Sequence, residues 1–246
     1  MMKKVQFTII AFLMILCSCM RSEQTINSAK KSFEKLPSTE SLEDKEIITI
    51  VPDYNGLTGE EEIKVDYEKN NDPNSNYIDI LVYAYHEGES RLIARLSPKN
   101  RFGHAIVTSG RVYYLYGDPI HGGSTKIKYL DLNQGAIFEL SLNTFGTYCV
   151  STDNQFVLYQ KRGAEYRDQW GTLYIPVLIV RNLSNDKEYT YDFSDSFLRD
   201  GFGVTVSSNY LNDVNAFYIE FSQDAPGNIG KGYIHLDSMK FELLEE

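Results

Sequence analysis

The sequence predicts an all-β domain, a repeating array of four-stranded antiparallel units, preceded by a signal peptide and a flexible tether. Three observations predict it. From Glu46 onward the apolar pattern has period two, and its strands are rich in β-branched and aromatic residues. Short clusters of turn residues interrupt those runs at regular intervals. The body also repeats itself, with comparable units starting at Gly103, Gly146 and Gly203.

The chain has 246 residues, 42% of them hydrophobic and 24% charged, enough apolar material for a buried core. Its formal charge of −10 and three cysteines exclude a disulfide miniprotein. No basic stripe offsets the acidity, so nucleic acid is excluded as a partner.

The amino terminus comes first in the chain. Met1-Met2-Lys3-Lys4 is a basic start, and Val5 to Leu16 is an apolar run broken only by Gln6 and Thr8. This is a secretory signal layout, and the run is short of the roughly twenty residues that a membrane-crossing helix needs. It ends in Leu16-Cys17-Ser18-Cys19. The segment resembles the lipobox of bacterial lipoproteins, with an aliphatic residue three positions before the cysteine and a small residue just before it. Cys19 fits that pattern; Cys17 does not, because Leu16 would occupy the small-residue position. The resemblance implies a signal peptide over residues 1–18, cleaved after Ser18, and acylation of Cys19, including palmitate. It also implies anchorage to a bilayer of the bacterial cell envelope through that residue. Two or three acyl chains hold a protein durably on a membrane without a spanning helix.

Residues 19–45 then carry the lipidated cysteine and a tether rich in Ser, Thr, Glu and Lys, where Phe33 and Leu36 are too isolated to build a packed face. With Cys19 acylated, Cys149 is the only thiol left, and its strand-like setting predicts a buried, inert group.

Residues 46–246 form the β domain. Ile47–Val51 and Ile78–Tyr85 supply an irregular first unit within residues 47–97. Unit one then offers His104–Val107, Arg111–Tyr116, Ile127–Leu132 and Ala136–Leu140. Unit two offers Tyr148–Ser151, Phe156–Gln160, Val177–Leu183 and Glu188–Phe193, with a longer loop in its middle. Unit three offers Val204–Ser207, Asn215–Phe221, Gly232–Leu236 and Lys240–Leu243. Four strands per unit of about 40 to 50 residues is the pattern of propeller blades. About 200 residues allow four to five such units, near the lower limit for a closed ring. A β-sandwich is the alternative arrangement.

Two motifs recur within the units. Ser151-Thr152-Asp153-Asn154 precedes an apolar strand, and Tyr129-Leu130-Asp131-Leu132 ends a strand before Asn133-Gln134-Gly135. Over roughly residues 77–246 these resemble the blades of WD40-like, or TolB-type, β-propellers. There a Ser-x-Asp-Gly turn opens one strand and Asp-Leu closes another. Asn154 stands where that family usually has Gly, and unit one has Ser109-Gly110 without an Asp.

The search for chemistry points away from an enzyme. Nucleophile-elbow, zinc-protease, phosphate-loop and dinucleotide motifs are absent, so no catalytic residue and no cofactor is assigned. His86, His104, His121 and His235 lack metal-ligand spacing, so no metal site is assigned. The segment singled out for binding is the insertion Lys161–Thr172, which holds the only Trp and reads either as an exposed binding loop or as a β-hairpin whose Trp folds back onto the sheet. Arg162, Tyr166, Arg167 and Trp170 in this candidate binding loop are residue types favoured at protein interfaces and able to stack on sugars. The functional expectation is a non-catalytic, membrane-anchored envelope lipoprotein that binds or assembles with another envelope protein. The alternative is a glycan-binding protein or glycan-acting enzyme.

Overall fold

The computed structural model describes residues 48–50, 57, 59–71, 76–118, 123–168, 171–193, 204–223 and 227–244. The expected signal peptide over residues 1–18, the expected lipidation site Cys19 and the expected tether to Lys45 lie outside these residues. Glu46–Glu246 forms one compact unit.

The repeat becomes four antiparallel sheets of four strands each. Sheet 1 contains β1 (Ile48–Ile50), β2 (Glu62–Lys69), β3 (Ile78–His86) and β4 (Glu89–Leu96), in the order β1-β4-β3-β2. Its irregularity is that β1, earliest in the chain, pairs beyond β4 as the fourth strand. Sheet 2 runs in chain order: β5 (Ala105–Thr108), β6 (Arg111–Tyr116), β7 (Thr125–Asp131) and β8 (Ala136–Thr144). Sheet 3 comprises β9 (Tyr148–Val150), β10 (Phe156–Asp168), β11 (Gly171–Asn182) and β12 (Glu188–Asp192). Sheet 4 comprises β13 (Thr205–Leu211), β14 (Ala216–Gln223), β15 (Gly227–His235) and β16 (Lys240–Leu243). The helical element among the described residues is a 3-10 turn, Asn212–Val214. No described helix is long and apolar enough to cross a membrane.

Sheets stack through the two faces of their strands, as alternation dictates. Val112 and Tyr114 of β6 face sheet 1, in a buried cluster with Ile80, Val82, Ala94 and Leu96. Tyr113, between them, faces the other way and joins Tyr148, Val157, Tyr159 and Ile179 of sheet 3. In β10, Leu158 turns to sheet 4 and packs with Phe217, Ile219, Phe221 and Ile234. The leading strands sit side by side in sequence, β2 by β5, β5 by β9 and β9 by β13. Tyr67 accepts from Ala105 N at 3.1 Å, and Thr147 and Ser208 hydroxyls meet at 2.7 Å. This is a propeller-like array of four units, not a two-layer sandwich. Among the described residues, none of the three buried clusters joins sheet 4 to sheet 1.

The recurring motifs are the turns that hold each unit together. After the third strand, Leu132, Leu183 and Leu236 donate backbone N–H bonds to Gly110, Gln155 and Asn215 carbonyls at 2.8, 2.7 and 3.0 Å. The side chain before two of these leucines caps the turn. Asp131 Oδ1 accepts from Asn133 N and Gln134 N, both at 3.0 Å, and Asn182 Oδ1 accepts from Ser184 N at 2.9 Å. A left-handed residue precedes the second strand of sheets 2, 3 and 4: Gly110 (φ 72°), Asn154 (φ 60°) and Asn215 (φ 46°). Another precedes the fourth strand: Gly135 (φ 59°), Asp186 (φ 59°) and Met239 (φ 52°). Asn is among the few non-glycine residues that tolerate this region, which explains how Asn154 replaces the expected Gly. Within the same turn, the buried Ser151 hydroxyl donates to Asp153 Oδ1 at 2.5 Å and accepts from Phe156 N at 3.0 Å.

Candidate functional site

The insertion singled out in the sequence, for which a β-hairpin is one of the two readings, lies in a β-ribbon. β9 pairs with β10 only over Val157–Tyr159, and β12 pairs with β11 only over Val177–Arg181. Beyond those rungs β10 and β11 continue together without the flanking strands, through Arg162↔Pro176, Glu165↔Tyr174, Tyr166↔Leu173, Arg167↔Thr172 and Asp168↔Gly171. Pro176 lacks a ladder donor and sits where β12 has already ended, a position that a central strand would not tolerate.

The ribbon bends at a bulge between Arg162 and Glu165. Gly163 is required there by close approach, because a Cβ would lie 2.6 Å from Val177 Cγ2 and 2.8 Å from the Ile175 carbonyl. Two contacts hold the root. Ile175 is buried with the sheet 3–sheet 4 cluster, and the Arg162 guanidinium lies 4.4 Å from the Phe145 ring and 4.5 Å from the Tyr174 ring. Phe145 belongs to the β8–β9 connection and donates its N–H to Gln160 O at 3.0 Å. Each cation–π contact of this kind contributes about 0.5–1 kcal/mol at an exposed site.

The structure therefore divides the four residues singled out in the sequence. Arg162 is engaged at the root, with both rings against it, while Tyr166 and Arg167 lie on adjacent rungs beyond the bulge. Trp170 lies outside the described residues. Phe145 and Tyr174, which fix Arg162, carry no local sequence signal, since one sits in a connection and the other in an ordinary strand run.

Reactive groups elsewhere are structural. Cys149 is a free, buried thiol, and burial pushes its pKa up to about 12. Burial also raises Tyr159, whose hydroxyl donates to Glu188 at 2.7 Å, and pushes Tyr191 up to about 12, its hydroxyl donating to the Met239 carbonyl. Among the described residues no three His, Cys, Asp or Glu side chains gather in a way that could hold a metal ion.

No protein-family model matches the sequence, and no curated protein matches it. Solved structures align with it in part. An acylaminoacyl peptidase in complex with Z-Gly-Gly-Phe-chloromethyl ketone aligns with a TM-score of 0.45 at 10% identity. That alignment covers 77% of this chain and 31% of the peptidase. The Pyrococcus horikoshii acylaminoacyl peptidase, in an orthorhombic crystal form, aligns with a TM-score of 0.42 at 11% identity, covering 76% and 31%. The chain thus spans less than a third of the length of either neighbour.

Proposed function

We propose that this protein is a bacterial envelope lipoprotein, anchored through acylated Cys19, whose diverged WD40-like domain is a non-catalytic module for binding another envelope protein. The observation that carries the reading is the β10–β11 ribbon, which continues past the rungs of β9 and β12, unflanked by other strands among the described residues, and is braced at its root by Arg162. Bracing a short ribbon lowers the ordering entropy of any contact it makes. Tyr166, Arg167 and Trp170 then supply the residue types that dominate interface energetics. The lipobox and the tether residues support placement at a membrane with reach away from it.

The test is crosslinking in intact cells followed by affinity capture and mass spectrometry. A near-stoichiometric envelope protein that disappears with Trp170→Ala is the expected result, and recovery of the protein alone overturns the reading. Cys19→Ser is expected to move the protein out of the membrane fraction; unchanged fractionation removes the lipid anchor.

A further inference from the structure

The three internal interfaces are built from Val, Ile, Leu, Phe and Tyr, whereas the face of sheet 4 turned away from sheet 3 has a different chemistry. Strand register places Asn209, Tyr218, Tyr233 and Glu242 in one row across the four strands. Ser207, Glu220 and Lys231 form the next row, and Leu211, Ala216, His235 and Lys240 form the row on the other side. Tyr218 and Tyr233 are half-buried register partners with ring centroids 5.7 Å apart, and the His235 ring lies 5.9 Å from Tyr233.

The hydroxyls of these two tyrosines are uncommitted. Tyr148, Tyr159, Tyr191 and Tyr210 each spend theirs on an internal hydrogen bond. Among the described residues, the Tyr218 and Tyr233 hydroxyls and the side chains of Ser207 and Asn209 form none. Glu220 and Lys231 stand directly opposite each other without an ion pair. The opposite end of the array is the contrast. The far face of sheet 1 also carries Tyr83 and Tyr85, but more of its charges are paired, through Lys64–Glu62 at 2.9 Å, Arg95–Glu68 at 2.6 Å and Lys64 over the Tyr85 ring, against His235–Glu242 at 2.8 Å on sheet 4.

We propose that the far face of sheet 4 binds a neutral glycan chain. Adjacent aromatic rings offer stacking surfaces for sugar C–H faces, and the unused hydroxyl and amide groups around them, with the Glu220 carboxylate, match sugar hydroxyls, while Glu242 is already held by His235 Nε2 at 2.8 Å. Two acids, Glu220 and Glu242, are offset by Lys231 and Lys240, so the face selects neither a polyanion nor a polycation. Its aliphatic side chains are confined to Leu211 and Ala216 in one row, fewer than each internal interface uses, which disfavours a further sheet as occupant. The site is separate from the ribbon and stands or falls independently of it.

Affinity electrophoresis of the full chain in detergent, against glucan, mannan, galactan and xylan with polygalacturonate as the charged comparator, tests this. Retardation by at least one neutral polysaccharide is expected. Tyr218→Ala and Tyr233→Ala should each weaken it about tenfold, the Phe variants should retain most of it, and Tyr83→Ala should leave it unchanged. Protection of the Cys149 thiol in each variant reports that sheets 3 and 4 remain packed. No retardation by any neutral polysaccharide, preference for polygalacturonate, or retardation that survives the double Tyr218→Ala/Tyr233→Ala change would overturn the proposal. So would a crosslinked protein partner lost with Tyr218→Ala, since a protein would then occupy the face.

Discussion

Replacing Asn154 tests whether the departure from the repeat motif is itself a designed joint between sheets 2 and 3. Asn154 has φ 60°, accepts from the Thr108 hydroxyl at 2.5 Å, and donates from Nδ2 to the Ser109 carbonyl at 2.9 Å. Asn154→Gly keeps the left-handed turn at no steric cost but removes both bonds. Partly exposed neutral bonds at about 0.5–1 kcal/mol each give a loss of about 1–2 kcal/mol. Asn154→Ala removes the same bonds and adds about 1 kcal/mol for a Cβ in the left-handed region, for a loss of about 2–3 kcal/mol. With a urea m-value of about 3 kcal/mol/M for a domain of this size, the midpoint shifts are about 0.5 M for Gly and 0.8 M for Ala. Equilibrium urea unfolding followed by far-UV circular dichroism reads both. A Gly variant as stable as the parent would refute a contribution from the side-chain bonds. An Ala variant equal to Gly would refute the role of the backbone conformation.

Three further outcomes follow from packing and titration. A Cβ at Gly232 would sit 2.6 Å from the Phe241 ring, so Gly232→Ala is expected to displace Phe241 from Phe193 and destabilise the domain by about 1–3 kcal/mol in calorimetry. Arg162→Ala should raise hydrogen exchange at Glu165–Tyr174 while leaving Val157–Tyr159 protected; equal exchange in parent and variant would show that the ring contacts do not brace the ribbon. Cys149 and Tyr191 keep their protons to about pH 12 when folded but release them nearer their ordinary values of about 8.5 and 10 when unfolded. The folded chain therefore binds more protons between about pH 9 and 12, and stability falls as pH rises through that window. A urea midpoint that does not drop from pH 8 to pH 10.5 contradicts this.

The repeat was legible because each unit spends its punctuation on the same backbone task. Gly103, Gly146 and Gly203 stand just before β5, β9 and β13, and the Leu after each third strand closes the same backbone bond. Asp131 and Asn182 are readable as turn residues for the same reason that they work as turn residues, a short side-chain acceptor aimed at following N–H groups. Sheet 1 was only partly legible, because pairing β1 beyond β4 leaves no mark in the local pattern of either strand. The sequence leaves the ribbon open between a loop and a β-hairpin for a physical reason. Gly163 and the charged run after it break the period of two, yet the strands persist because cross-strand pairing, not composition, stabilises them. The Phe145–Arg162–Tyr174 contact and the Tyr218–Tyr233 pair depend on three-dimensional packing and on register respectively, which no single segment encodes.

These structural demands also limit where recognition can occur. The turns that link strands consume their own polar groups, as the Ser151–Asp153 and Asp131 caps show, and the faces between sheets are closed by apolar packing. Groups in either place cannot be spared for a ligand without loosening the array. The ribbon beyond its braced root and the far face of sheet 4 are different, because neither supports a neighbouring sheet. Substitutions there, such as Tyr166→Ala or Tyr233→Ala, should leave the urea midpoint nearly unchanged while altering retention by a partner or a glycan. Asn154→Ala and Gly232→Ala should do the reverse. A chain in which both sets moved stability equally would lack the separation of roles on which both proposals depend.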